Sequence, residues 1–475
     1  MDAIIYENIR VSGYELTTIN ELEIESKVNE HSTLKLSGVI DDSHKDKYID
    51  LTYKDKEIEV YVDDDKKKVL FHGYVTNVEI NVEGNLYTIK IEAKSMSYLL
   101  DIEKVSRSYQ NTSLTYSELI KRVLEKYKNI NYRLNIPDIQ VNELLVQYEE
   151  TDWQFLIRLA SRFNEGIYVD NTSNIPQFHI GIPEILVKLE EEIKNYNGKK
   201  CISEYKFMKN NYLNDAKETD YITFKIKTYQ VIQIGSYIKS NGHEFYVYRA
   251  DYKIEKGMLV NTYYMRAKNG IRQKNLFNTK VCGSSIDGKI IGTQGELVQI
   301  HLDIDKVQNK SEAHWFKFST MSASSDGTGW YCMPEVGDSV RLYFPTKDEY
   351  RAFAVSAVSG YEYKEGTEGG DLMGNPDDKY LRNSTGNEVK LTPEGIFLSC
   401  NGGQAEMSMK SDGTVSISSK QNVSITAEEN LNIEATKKFS IKAKEDIKIE
   451  SDEGGSLEFD PAGQVNELGA QVNNK

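Results

Sequence analysis

From Val415 to Ile449 bulky apolar residues recur every eight positions without an insertion. Val415, Val423, Leu431, Phe439 and Ile447 hold the first position, and Ile417, Ile425, Ile433, Ile441 and Ile449 follow two residues later. The next alternate position is always small: Ser419, Ala427, Ala435, Ala443 and Ser451. Bulky, bulky, small at spacing two describes three consecutive inward positions of a β-strand, with polar residues between them facing water. The remaining three residues turn the corner. A single octet cannot bury its own apolar face, so the repeat predicts stacked parallel strands winding into a β-helix.

A looser sixth copy follows at Gly455, Leu457 and Phe459. A closed triangular coil needs about three strands, so six octets of one chain would give two coils with hardly any enclosed core. Three chains wound together give six coils, a prism roughly 25–30 Å long with each buried Val or Ile contributing about 1.5–3 kcal/mol. The count therefore predicts a homotrimer with an intertwined β-helix over residues 387–475. Antiparallel hairpins are the competing reading, but Lys420-Gln421-Asn422 and Glu428-Glu429-Asn430 lack the Gly or Pro that a hairpin turn uses.

Upstream, residues 1–104 alternate in the manner of a small β-barrel. Ile58, Val60 and Val62 alternate, then Leu70, Phe71 and Val75 follow a charged turn, and Tyr87, Ile89, Ile91 and Ala93 follow Glu83-Gly84-Asn85. Helical period marks an α/β insert over 105–200. Thr115 with Glu118 and Thr151 with Gln154 form two capping boxes, the first ahead of Leu119, Ile120, Val123, Leu124 and Tyr127. The second precedes Phe155, Leu156, Leu159, Ala160 and Phe163 and stops near Asn164 to Gly166. Alternation at Ile222, Phe224, Ile226 and at Phe245, Val247 predicts a second barrel over 201–278. Short strands through Val298, Ile300 and Leu302, Trp315 to Phe318, Val340 to Phe344, and Phe353 with Val355 suit a five-stranded oligonucleotide/oligosaccharide-binding (OB) barrel over 279–358. Residues 359–386, rich in Gly and acidic side chains, read as a linker. The fold class is thus mainly β with minor α.

Charge narrows the partners. Against 58 Lys and Arg stand 73 Asp and Glu, a net −15 per chain and −45 for a trimer. That balance, with no basic groove interleaved with aromatics, argues against nucleic acid. No secretory signal or membrane-length apolar run is visible, which predicts assembly in a cytoplasm. Cys201, Cys282, Cys332 and Cys400 lack CxxC spacing and read as reduced, partly buried small residues. All seven histidines precede the octets, so no metal-bound tip is expected.

Several segments then resemble one family. Gln147-Tyr148-Glu149-Glu150-Thr151-Asp152-Trp153-Gln154-Phe155-Leu156-Ile157-Arg158-Leu159 is similar to the QYxETDWxFxxRL signature of the VgrG and phage late-control D proteins. Gly327-Thr328-Gly329-Trp330, then Pro334-Glu335-Val336-Gly337-Asp338-Ser339-Val340, resembles the end of that family's OB barrel. Lys379 to Arg382 and Gly386 to Leu391 resemble the start of its needle. The likeness runs over nearly the whole chain. It implies the fused hub and spike of a contractile injection system: a phage tail, a tailocin, an extracellular injection particle or a type VI secretion apparatus. In that family three chains pair two barrels each into a pseudo-sixfold ring matching a hexameric, Hcp-like inner tube. The implied partners are that tube, baseplate proteins, a PAAR-like tip protein and an effector cargo, with the target membrane met only on firing.

The motif residues have structural readings that need no catalysis. Thr151 is a helix cap, Trp153 a packing residue, Arg158 a partner for Glu150 or Asp152, and Gly337-Asp338 a turn. The interval from Val358 to Lys379 is too short for a lysozyme domain. Glu149-Glu150 and Glu428-Glu429 read as solvated pairs with no pocket between them. A Cys201–His243 peptidase would need a helix to activate the thiol, whereas Cys201 reads as strand. The expectation is a structural protein with no cofactor. The alternative is a trimeric phage tailspike that binds or degrades surface polysaccharide, although these octets are short and their outward residues are mixed Lys, Glu, Thr and Ser.

Overall fold

The computed structural model describes residues 4–44, 48, 56–64, 67–190, 195–240, 242–321, 326, 331–365 and 371–471. The architecture is mainly β, and the chain divides into two compact units, Met1–Gly360 and Tyr361–Lys475.

In the first unit, β1 (Ile9–Val11), β2 (Thr18–Lys27), β3 (Thr33–Ile40), β4 (Glu57–Val62), β5 (Lys68–Glu83) and β6 (Leu86–Ser95) pair in the order β1-β4-β5-β6-β3-β2. The alternation read at Ile58, Val60, Val62 and at Ile89, Ile91, Ala93 faces the core, all six being buried. The insert holds β7 (Lys104–Tyr109), α1 (Tyr116–Leu124), β8 (Asn131–Leu134), β9 (Leu145–Thr151), α2 (Asp152–Ser161), β10 (Ile167–Val169) and β11 (Gln177–Ile180). Both helices start at complete capping boxes, Thr115 with Glu118 and Thr151 with Gln154. Asn164, at φ 56°, then turns the chain after α2.

β12 (Ile185–Leu186), β13 (Tyr196–Lys200), α3 (Ile202–Asn211), β14 (Ile222–Thr228), β15 (Ser236–Ser240), β16 (His243–Glu255) and β17 (Met258–Arg266) follow. The two halves read as separate barrels are joined. β16 pairs with β2, so one twelve-stranded sheet runs through both and a single apolar core serves them. Opposite charges stand across that seam: Lys253 Nζ lies 2.6 Å from Glu23 and Arg249 3.1 Å from Glu25. A pairing between residues more than 200 apart leaves no local sequence pattern.

β18 (Ser285–Gln294), β19 (Leu297–Leu302), β20 (Trp315–Lys317), β21 (Ser339–Tyr343) and β22 (Phe353–Ser356) form the OB sheet in the order β20-β19-β18-β21-β22. A bridge from Phe318 to Ala354 brings its two ends together. The inward residue of β22 is Ala354, fully buried, and not the flanking Phe353 or Val355. A small side chain is needed where the closing strand crosses.

In the second unit, β23 (Lys379–Arg382), β24 (Glu388–Thr392), β25 (Gly395–Cys400), β26 (Ala405–Lys410) and β27 (Val415–Ser419) form an antiparallel meander. The stretch read as linker therefore supplies the meander's first strand. β28 (Ile447–Ser451), β29 (Gly455–Phe459) and β30 (Val465–Leu468) form a second antiparallel sheet. The octets were expected to stack in parallel, yet the first pairs antiparallel with β26, and the fifth and sixth pair antiparallel with each other. The reason lies in two turns. Gly413 and Gly454 sit at φ 85° and 101°, so Asp412-Gly413 and Glu453-Gly454 make hairpins that the central octets have no residues to make. Residues 421–446 form neither strand nor helix.

Candidate assembly interface

The signature segment lies on β9 and α2, between the insert and the OB barrel. Opposite β7, the pairs Val105–Glu150 and Arg107–Gln147 leave Tyr148 and Glu149 facing Ser106 alone. This bulge is carried by Glu149 at φ 48°, and it re-aims the residues on either side. Upstream of it, Leu144 and Val146 are fully buried in the core of the OB barrel, with Tyr148 packed against them. Asn278 Nδ2 donates to the Tyr148 carbonyl and Lys280 Nζ to that of Glu149, each at 2.7 Å.

Arg158 locks the same junction from α2. Its guanidinium donates from Nε and Nη2 to the two oxygens of Glu150 at 3.1 and 2.8 Å. Nη2 also donates to the Val146 carbonyl, and Nη1 reaches Glu349, on the turn before β22, at 2.8 Å. Burial opposes the charge of Arg158, but Glu349 and Glu150 outweigh it and hold its pKa above the ordinary value. Burial pushes the Glu349 carboxyl up, against the pull of Arg158 and Arg162. Removing either partner would leave a charge in a dry site. Glu150 is therefore buried and paired, not part of a solvated face, while Glu149 stays exposed.

Asp152, fully buried at the start of α2, does not pair with Arg158. It accepts from Arg107 (2.7 Å), Gln147 (2.9 Å) and Tyr127 (2.8 Å), with Lys126 at 3.0 Å. Trp153 stacks on His31 with ring centres 4.4 Å apart and meets Phe178 edge-on. Asp305 of the OB barrel accepts from Ser108 N (2.7 Å) and Oγ (2.5 Å), and Gln110 donates to the Ile300 carbonyl. Glu349, Asp305 and Gln110 were missed in the sequence because none belongs to a periodic or motif pattern.

In the barrel motif, Gly337 turns at φ 102° and Asp338 accepts from Glu335 N at 2.7 Å, with Pro334 just ahead. Trp330 lies outside the described residues. Cys201 is not in a strand: it is the N-cap residue of α3, and its N–H donates to Tyr221. His243 instead lines an apolar groove with Leu186, Phe224, Ile226 and Phe245. Cys282, Cys332 and Cys400 are exposed, contrary to the partly buried reading. Among the described residues no acidic, Cys or His group forms a metal-binding cluster, and no helix is long and apolar enough to cross a membrane.

The second candidate surface is one face of the β23–β27 meander. Cross-strand register aligns Leu381, Val389, Leu398, Met407 and Ile417 in one row, and Leu391, Ile396, Met409 and Val415 in the next. A third row is small: Cys400, Ala405 and Ser419. The bulky, bulky, small signature thus begins on strands ahead of the first octet, forward on β25 (Ile396, Leu398, Cys400) and reversed on β26 (Ala405, Met407, Met409), outside the eight-residue period. Every bulky member of these rows is exposed. In the octets, Val415, Ile417, Val423, Ile425, Leu431, Ile433, Phe439, Ile441 and Ile449 are 54 to 65% exposed, while Ile447 and Leu457 are half-buried and Phe459 is exposed.

Residues 27–172 match the phage tail baseplate hub (GPD) family, and residues 290–358 match the type VI secretion system/phage-baseplate injector OB domain. No curated protein matches the sequence. Among solved structures, the fold is similar to the E. coli c3393 protein, described as a type VI secretion system component with structural similarity to T4 bacteriophage tail proteins gp27 and gp5. That likeness has 12% identity and TM-score 0.53, covering 73% of this chain and 98% of that one. It is also similar to a chain of a lidless PdpA-VgrG complex (11% identity, TM-score 0.52, covering 84% and 93%). A third likeness is to a chain of the lidded Francisella PdpA-VgrG complex (10% identity, TM-score 0.51, covering 87% and 80%). Hub and injector-barrel segments in this order, on a fold shared with these proteins, support a VgrG-like family of baseplate hub and spike proteins for this chain.

Proposed function

We propose that the chain is the homotrimeric hub and spike at the tip of a contractile injection system, joining a hexameric, Hcp-like inner tube to a membrane-puncturing needle. The observation that carries this reading is the exposed apolar face of the β23–β27 meander, whose pattern the sequence repeats through the octets that follow. Aligned rows of this length are covered by something in water. Their bulky, bulky, small repeat continues from β25 to β29, so copies of the same surface are the occupants that match it row by row. Burial of each Val, Ile, Leu or Met would contribute about 1.5–3 kcal/mol. The central octets, which have no hairpin turns, would then complete their backbone pairing with neighbouring chains.

In this assembly the signature residues act as mortar. Arg158, Glu150 and Glu349 tie the hub insert to the OB barrel, so that thrust on one is borne by the other. Glu150 and Asp152 are paired with Arg158, Arg107 and Lys126, which supports a structural role for them. A separate PAAR-like protein would cap the free edge strand β30, and effector cargo would travel with that tip. Electron microscopy of the purified full chain tests the reading: a threefold needle below a wider ring is expected. Monomeric particles, or a self-closed ordered apex formed by Gly463 to Lys475, would contradict the trimer and the separate cap respectively. Measurable cleavage of capsular or wall polysaccharide would favour the tailspike alternative.

A further inference from the structure

The turn between β2 and β3 is wedged into the insert. Asn29, at φ 67°, donates its backbone N–H to the Ile167 carbonyl, accepts from Ile167 N at its side-chain Oδ1, and donates from Nδ2 to Gln273 Oε1. Gly166 packs so closely beneath it that a Cβ there would meet Val28 Cγ1 at 2.4 Å. Two residues on, His31 is buried between a run of serine hydroxyls and Trp153. Its Nδ1 lies 2.8 Å from Ser97 Oγ, which is 3.0 Å from Ser95 Oγ, and Ser26 and Ser32 share a further bond at 2.8 Å. Its Nε2 is buried with no hydrogen-bond partner, and the nearest acceptor, Asp101 Oδ2, stands 3.5 Å away. The other Asp101 oxygen accepts from Thr151 Oγ1 at 2.5 Å, and Thr151 caps α2 by accepting from Gln154 N. An unsatisfied ring nitrogen is thus two bonds from the start of the helix that carries Arg158.

We propose that His31 is a proton-operated joint between the β2–β3 turn and α2. On gaining a proton both ring nitrogens must donate. Nδ1–H is taken by Ser97, and Nε2–H draws in the Asp101 carboxylate, which turns away from Thr151 and frees the hydroxyl that caps the first turn of α2, loosening that turn. The groups facing His31 are Asp101, Lys94, Tyr98, Ser97 and Trp153. Burial lowers the His31 pKa below 6.5, and Asp101 offsets this only in part. Burial also raises Asp101, but the neighbouring His31 and the bond from Thr151 outweigh it and hold its pKa below the ordinary value. The sign follows. A histidine held neutral by the fold contributes stability above its unfolded value, and that contribution is lost as pH falls below 6.5 toward the lowered value. Acid therefore loosens the junction, and neutral pH sets it.

The imidazole stacked on Trp153 supplies the readout, because an imidazolium quenches indole emission and a neutral ring does so far less. The full chain is used with Trp315→Phe and Trp330→Phe, titrated from about pH 8 to about pH 4.5. Emission is expected to fall with a midpoint below the ordinary histidine range and to stay flat in His31→Gln. Asp101→Asn should move the midpoint lower still, by on the order of one pH unit for each tenfold loss of proton affinity. Amide exchange at Gln154, corrected for its intrinsic rate, should speed up by about tenfold on the acid side in the parent. A flat parent titration, the same quenching in His31→Gln, or an unmoved midpoint in Asp101→Asn would overturn the proposal. The Asp101 variant decides the matter if His31→Gln fails to fold.

Discussion

The Met1–Gly360 unit and the Tyr361–Lys475 unit use apolar residues in opposite ways. In the first, Ile58, Phe155, Phe178 and Ile300 are fully buried, and buried charges such as Arg158 and Asp152 have partners within the chain. In the second, residues of the same type line one face of the β23–β27 sheet and remain exposed, as do those of the octets apart from the half-buried Ile447 and Leu457. The difference shows where each unit's stability comes from. One is complete as a single chain, with its core closed by non-local strand pairing. The other leaves apolar rows, aligned in register across β23–β27, open to water.

The comparison can be broken most severely at the octets. In the proposed trimer, replacing Ile433 by Asp would place three carboxylates in one dry layer, which should abolish trimerisation at neutral pH while the first unit keeps its thermal transition. Sedimentation showing an intact trimer would refute the inward register. Leu398→Asp, in the meander, should act in the same direction, and indifference to it would confine the interface to the octets. The first unit should respond instead to Arg158→Ala. Leaving Glu349 and Glu150 without their cation is expected to cost about 3–5 kcal/mol in urea unfolding, with little effect on assembly of the needle. Arg158→Lys should recover only part, because an ammonium cannot serve Glu150 bidentately and reach Glu349 together.

A smaller and pH-dependent effect is expected at Glu165, just beyond α2, where burial pushes the carboxyl up to about 7. A raised carboxyl contributes stability below its ordinary 4.5, and this is lost as pH rises through about 7. Glu165→Gln should thus stabilise by about 1–2 kcal/mol above neutrality and by almost nothing in acid, as measured by denaturation across pH. The smallest change is Gly454→Ala. It strains the β28–β29 turn at φ 101° and should lower the thermal midpoint of the second unit by an amount corresponding to about 1 kcal/mol.

Local chemistry was read well from the residues. Both capping boxes, the buried faces of α1 and α2, and the alternation in β4, β6 and β19 follow from spacing alone. Arg158 pairs with Glu150 as a spacing of eight across the β9–α2 corner allows. What was not legible is non-local. The β2–β16 seam and the reach of Arg158 to Glu349 join residues with no shared pattern. Helix α3 was misread as strand because its apolar residues Ile202, Phe207 and Met208 make no clean stripe, with only Met208 buried. In the second unit, the two hairpins depend on Gly413 and Gly454, residues outside the apolar positions that define the repeat.

The central claim is that the exposed rows are covered by copies of the same chain. Sedimentation equilibrium of the purified full chain tests it most directly. The expected mass is about 163 kDa, three times the 54.3 kDa of one chain. A concentration-independent mass of 54.3 kDa, with the rows still open to water, would contradict it.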